Sequence, residues 1–162
     1  MTISVGAKLP DASLQVMGGN GPETVSLAEK LSGRNVVIFG LPGAFTSTCT
    51  TAHVPSFIRT REKLAAKGVD EVICVSVNDA FVMKAWSDST GAGAGGVTML
   101  ADASSEFTKA IGMAFSAPAV GFVDRSKRYA LYAVDGVVKV FNTGDASGQC
   151  DISGGEAMLD AI

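Results

Sequence analysis

Asn35 opens a short apolar run, Val36-Val-Ile-Phe-Gly-Leu41, that ends at Pro42-Gly43. Bounded by turn residues, it predicts a strand buried on both faces in the middle of a sheet. A second run, Val72-Ile-Cys-Val-Ser-Val77, is rich in β-branched residues and predicts a second buried strand. Between them, residues 46–67 predict a helix whose early hydroxyl residues are able to cap it and which Gly68 stops. Downstream, 79–87 predicts a short helix carrying Phe81, Val82, Ala85 and Trp86, 91–96 a Gly-rich loop, and 98–102 a short strand. Residues 105–113 predict a helix that leads into a loop around Pro118. Residues 128–134 predict a strand that turns at Asp135-Gly136, a hairpin signal, into another over 137–141. A helix over 154–162 closes the chain. Strand–helix–strand units followed by a late hairpin give an α/β class with a mixed sheet, and with no repeat or linker residues 1–162 read as one domain.

Composition narrows the functional classes. Hydrophobic residues make up 47% of the 162 positions and charged residues 18%, enough for a sizeable core and too apolar for disorder. Thirteen Lys+Arg against sixteen Asp+Glu give a net charge of −3 with no basic run, so a nucleic-acid grip lacks its electrostatic footprint. The longest uncharged stretch, 35–58, is interrupted by Gly, Pro, Ser, Thr and His, which argues against a membrane span. The amino terminus has neither the basic nor the apolar region of a secretory signal. The expected location is the cytoplasm, or an organelle after removal of a transit peptide.

The three cysteines, Cys49, Cys74 and Cys150, are odd in number and widely spaced, with no Cys-x-x-Cys pair, unlike a secreted disulfide framework. His53 is the only histidine, so no metal site is expected and most Ser-His-Asp schemes fall away. Thiol chemistry is what remains. Cys49 sits in the first turn of the helix that follows the buried strand, where unpaired backbone N–H groups and the positive end of the helix dipole favour a thiolate. Thr46, three residues earlier, is able to hydrogen-bond the sulfur or an oxygen approaching it, and Pro42 stiffens the turn and shields it. The alternative on spacing alone is a buried structural cysteine beside capping threonines.

Pro42-x-x-x-Thr46-x-x-Cys49, in the longer setting Pro-Gly-Ala-Phe-Thr-Ser-Thr-Cys, resembles the peroxiredoxin active-site pattern in its type II, or peroxiredoxin-five-like, form. Three further blocks resemble that subfamily in the same order: the Ser-Val-Asn-Asp segment at 76–79, Phe107-Thr-Lys-Ala-Ile-Gly112, and Arg125-Ser-Lys-Arg-Tyr-Ala130 followed by Val134-Asp-Gly. The resemblance implies a thioredoxin-like fold, with a mixed central sheet flanked by helices. It also implies reduction of hydrogen peroxide and alkyl hydroperoxides without metal or organic cofactor, and a homodimer. It makes Cys49 the peroxidatic cysteine, oxidised to a sulfenic acid, with Thr46 hydrogen-bonding the reacting centre and Arg128 holding the thiolate and polarising the departing oxygen. Glutathione, glutaredoxin or thioredoxin would recycle it.

Ionisation alone does not make such an enzyme. A thiol with a pKa near 8.5 is about 3% thiolate at neutral pH, so lowering the pKa gains at most a factor of roughly thirty. Alignment of the O–O bond and hydrogen bonds to both oxygens must supply the rest, and Arg128, Thr46 and the N–H groups of Gly43 and Cys49 are the nominated donors.

The second thiol stays open. Cys74 lies in an apolar strand and reads as core, Cys150 follows a Gly-rich loop and is the better resolving candidate, and an external thiol is the third route. Arg125 competes with Arg128, and residues three apart in one strand face opposite sides; the resemblance selects Arg128 and leaves Arg125 as a surface or interface charge. His53, one helical turn after Cys49, is read as mainly structural. Trp86 and Phe81 read as core or interface aromatics. Ser47 and Ala80 stand where the pattern carries prolines, which loosens the first turn but removes no catalytic group. The rival classes are a thioredoxin-fold disulfide oxidoreductase, disfavoured without Cys-x-x-Cys, a non-enzymatic redox sensor, and a structural interaction domain.

Overall fold

Alternation along the central strands divides the apolar residues between two faces of one sheet. The computed structural model describes residues 1–146 and 148–162; position 147, inside the Gly-rich segment before Cys150, lies outside the described residues. In chain order the strands and helices are β1 (Ser13–Gly18), β2 (Gly21–Ser26), α1 (Leu27–Leu31), β3 (Asn35–Gly40), α2 (Val54–Ala66), β4 (Glu71–Ser76), α3 (Ala80–Thr90) and β5 (Val97–Ala101). They continue with α4 (Glu106–Ala110), β6 (Ala114–Ala117), β7 (Phe122–Ser126), β8 (Tyr129–Val134), β9 (Val137–Thr143) and α5 (Gly155–Ala161). A π-helical turn, Cys49–His53, precedes α2.

The main sheet runs β2-β1-β5-β4-β3-β8-β9. β3, β4 and β5 are parallel, and the flanking strands pair antiparallel, so the sheet is mixed as expected. One face buries Val37, Phe39 and Cys74 under Phe57 and Leu64 of α2, Trp86 of α3 and Met158 of α5. The other buries Val36, Ile38, Ile73 and Leu131 under Leu27 and Leu31 of α1 and Phe107 of α4. Coverage on both faces is why the central strands read as unbroken apolar runs. At the β8–β9 turn Asp135 and Gly136 both have positive φ, 48° and 77°, the backbone of a type I′ hairpin.

The chain also holds elements that its apolar pattern does not announce. The β1–β2 hairpin and α1 precede the first apolar run, and the loop expected around Pro118 contains the small antiparallel pair β6–β7. The helix expected over 79–87 runs on to Thr90, where Gly91 ends it in the left-handed conformation. Asp79 caps it by accepting from the Val82 N–H, which puts Ala80 at the first helical position, where proline is equally at home.

Candidate active site

β3 delivers the chain at its carboxyl end into the loop that contains Pro42, Gly43 and Thr46. The helix that follows is widened at once: the Val54 N–H reaches back to the Cys49 carbonyl, five residues away, instead of to that of Thr50. Such π-turns are found frequently at functional sites, and this one brings Cys49 and His53 onto nearly the same face. Both are fully buried.

Arg128 meets them from the position just before β8. Even-numbered Ala130 belongs to the core face that holds Cys49, so Arg128, just before the strand, points the same way. Its Nη2 donates to Cys49 Sγ at 3.4 Å and its Nη1 lies 2.8 Å from His53 Nδ1. His53 Nε2 lies 2.9 Å from the Ser153 carbonyl. A carbonyl only accepts and a guanidinium only donates, so one tautomer satisfies both: neutral imidazole with its proton on Nε2. Burial, then the Arg128 charge, pushes the His53 pKa down to about 3, against the opposing pull of the Ser153 carbonyl and Asp145. His53 is therefore a neutral bracket for Arg128. The structural role expected for it acquires a definite object, and it carries no charge that could act on the thiol.

Of the two partners expected for Thr46, the sulfur is not the one its hydroxyl meets. Its hydroxyl donates to the Gly43 carbonyl at 2.7 Å rather than to the sulfur, which leaves its lone pairs to accept from an incoming O–H. Arg125 departs from expectation. It lies in β7 and Arg128 before β8, on different sheets, so strand parity does not choose between them. Arg125 Nη1 donates to the Pro42 carbonyl at 2.9 Å and fills the space a Cβ on Gly43 would need, while its guanidinium lies 5.0 Å from the Phe122 ring centre. It braces the loop instead of standing as a free surface charge. The Ala44 N–H donates to Asn78 Oδ1 at 3.0 Å on the other side. Trp86 Nε1 donates to Thr50 Oγ1 at 3.1 Å, one residue from Cys49.

The other thiols differ sharply. Cys74 is fully buried in β4 opposite Phe39, and burial first, then the Cys49 sulfur, raises its pKa well above the ordinary thiol value. Cys150 is half-buried, with its pKa pushed up to about 11 by burial; Arg128 pulls it down, and Asp145 pushes it up. It lines a cleft of about 400 Å³ with Thr51, Ser56, Arg59 and Glu156. A second cleft, of about 280 Å³, opens beside Arg128 between Pro42, Phe115, Lys127 and Asp145.

The links through His53 were missed in the sequence. Ser153 carried no signal there, being a hundred residues from the His53 it meets, and Asp145, which bonds Ser153, carried none either.

The Redoxin family profile matches residues 4–159. The chain is 49% identical over 165 residues to peroxiredoxin-2E-2, chloroplastic, of Oryza sativa subsp. japonica, covering 99% of this chain and 73% of that protein. Reduced Prx3 in complex with hydrogen peroxide from Vibrio vulnificus is 41% identical and superposes with a TM-score of 0.92 over 99% of both chains. Peroxiredoxin 5 from Alvinella pompejana is 28% identical with a TM-score of 0.84, over 98% of this chain and 97% of that one.

Proposed function

The chain belongs to the type II peroxiredoxins of the Redoxin family, thiol peroxidases by descent, and on that premise we propose that Cys49 is its peroxidatic cysteine and Arg128 its electrostatic partner. The observation that carries the reading is the Arg128 Nη2 donor on the buried Cys49 sulfur at 3.4 Å. The thiolate attacks one peroxide oxygen, the S–O bond forms as the O–O bond breaks, and the departing oxygen leaves as water or an alcohol once protonated. Sulfur is oxidised by two electrons to the sulfenic acid and the peroxide is reduced by the same two. Arg128 stabilises charge on the sulfur and then on the departing oxygen. Thr46, with lone pairs free, orients the peroxide proton, and the Gly43 N–H adds a donor from the loop that Pro42 stiffens.

Hydrogen peroxide and alkyl hydroperoxides are the proposed substrates, in antioxidant defence. We assign reduction of the sulfenic acid to an external thiol: glutathione, with or without glutaredoxin, or thioredoxin. The support is that Cys74 is sealed in the core and Cys150 is held protonated at about 11. After peroxide treatment, mass analysis of Cys74→Ser and Cys150→Ser is expected to show the same products as the parent; loss of an internal disulfide in either variant identifies that cysteine as resolving. A homodimer is proposed through the rim of the site, where Phe45 is 54% and Phe81 64% exposed on segments joined by the Ala44–Asn78 hydrogen bond. The compartment is an aqueous one, the cytoplasm or an organelle interior such as the one named for the rice relative.

Stopped-flow oxidation of the reduced protein by hydrogen peroxide, followed by Trp86 fluorescence, tests the reading. Fast consumption that vanishes in Cys49→Ser supports it; a rate no better than that of a free thiol refutes it and leaves the structural rival. A fast rate without turnover in the presence of reductants favours the sensor.

A further inference from the structure

We propose that Asp145 is a positioning residue for the peroxidatic site: from the loop that carries Cys150 it fixes the Ser153 carbonyl, which through His53 holds Arg128 against Cys49. The inference rests on the proposed function, in which Cys49 and Arg128 are the reacting pair. Asp145 touches neither of them by a hydrogen bond. Its Oδ1 accepts from the backbone N–H groups of Asp151 at 3.0 Å and Ile152 at 2.8 Å. Its Oδ2 accepts from the Ser153 N–H at 2.9 Å and from the Ser153 hydroxyl. Three successive backbone donors and a hydroxyl on one carboxylate leave the segment little freedom, and Ser153 itself is fully buried.

The same segment is tied from its other end. The Gly155 N–H donates to Ser56 Oγ at 2.9 Å, and Ser56 Oγ donates to the His53 carbonyl at 2.6 Å. Asp145 and Ser56 thus clamp Ser153 from both sides, and its carbonyl is the acceptor that sets the His53 tautomer. Without that acceptor the imidazole is free to turn or to move its proton to Nδ1, where it would face a guanidinium that offers only donors. Arg128, no longer held by the ring, would then drift from the sulfur. Asparagine in place of Asp145 keeps the shape, but whichever way the amide turns it presents an NH2 group to backbone donors.

The test uses the full chain with Asp145→Asn, and with Asp160→Asn, on the exposed side of α5, as a control of equal charge change. In the reduced parent, ¹⁵N NMR should show a His53 ring with Nε2 protonated and its proton protected from exchange. In Asp145→Asn that protection is lost, and the single-turnover rate constant of Cys49 with hydrogen peroxide falls about ten- to a hundredfold, as expected when reacting groups are misplaced by an ångström. Asp160→Asn changes neither. A folded Asp145→Asn protein with the parental rate overturns the proposal, and so does a slower one whose His53 signal is intact. Should Asp145→Asn fail to fold, Ser153→Ala removes only the hydroxyl bond and is expected to lower protection and rate together, by less. The His53 signal is read without peroxide, so a parent that proves no peroxidase refutes the functional reading and leaves this wiring separately tested.

Discussion

Burying the only histidine as a neutral group makes the fold sensitive to acid in a way that can be calculated. In the unfolded chain His53 titrates near 6.5, and in the folded one burial and Arg128 push it down to about 3. Between those values the unfolded state binds a proton that the folded state refuses, so stability is full above pH 6.5 and is lost as pH falls toward 3. Each pH unit is worth about 1.4 kcal/mol, so going from pH 6.5 to pH 4.5 removes on the order of 2–3 kcal/mol and the full span about 5 kcal/mol. That is a large share of the roughly 5–15 kcal/mol typical of a domain. The window down to pH 4.5 is informative because carboxylates held low, such as Glu71 and Asp145, act mainly beneath it, where the unfolded chain protonates them. Burial resists ionisation of Asp145, but hydrogen bonds from Ser153, Ile152 and Asp151 outweigh it and hold the carboxyl at about 2, so its protonation adds acid sensitivity only below pH 4. Urea unfolding of the reduced protein, read by Trp86 fluorescence at half-unit steps from pH 7.5 to 4.5, measures the slope. His53→Gln, whatever it costs at neutral pH, should flatten it. A parental profile flat to pH 4.5, or an equal slope in the variant, refutes the neutral bracket.

Three further substitutions test the cations. Arg128→Lys keeps the charge but loses the planar fork that reaches His53 Nδ1 and Cys49 Sγ together, so stopped-flow oxidation should slow about a hundredfold; an unchanged rate would show that charge alone suffices. Gly43→Ala places a methyl where Arg125 Nη1 lies and should release Arg125 from the Pro42 carbonyl, slowing oxidation about tenfold. Adding Arg125→Ala should then cost nothing more, because both changes break the same brace, and additive losses would contradict it.

What was legible in the sequence follows burial. β3 and β4 lie beneath helices on both faces, so their residues are apolar in unbroken runs and announce themselves. β2 is an edge strand whose Pro22, Glu23 and Thr24 are exposed; its backbone ladder with β1 holds it, and ladders leave no mark on side-chain pattern. The pair β6–β7 is likewise mostly half-exposed. At the site, Cys49 was singled out by helix chemistry and Arg128 by family resemblance, since no spacing rule joins residues 79 apart in sequence. Strand parity failed for Arg125 because it presumes one strand shared with Arg128, whereas the chain changes sheets between them.

Attack and recycling make opposite demands on this site. Attack needs the sulfur buried against Arg128, yet a sulfenic acid buried there is out of reach of another thiol, so one side of the contact must give way. The Arg128 side is braced through His53, Ser153 and Asp145. The Cys49 side is not braced in the same way. Thr48 caps the π-turn with no side-chain hydrogen bond, and the side-chain ties there are Thr51 to the Ser47 carbonyl at 2.8 Å and Trp86 Nε1 to Thr50 Oγ1 at 3.1 Å. Ser47, where the pattern that the sequence resembles carries proline, leaves that stretch freer still. A π-turn is in any case a less favourable helix than the α2 turns that follow it. Unwinding that started at Ser47 and stopped at His53, which Ser153 pins, would expose the sulfur while leaving the guanidinium in place for the next cycle. The division has a cost for Cys150. It lies inside the segment that Asp145 holds, so a disulfide that drew Cys150 toward Cys49 would pull on that clamp and on the support of Arg128. A thiol arriving from solution needs only the Cys49 side to give way and leaves that clamp closed.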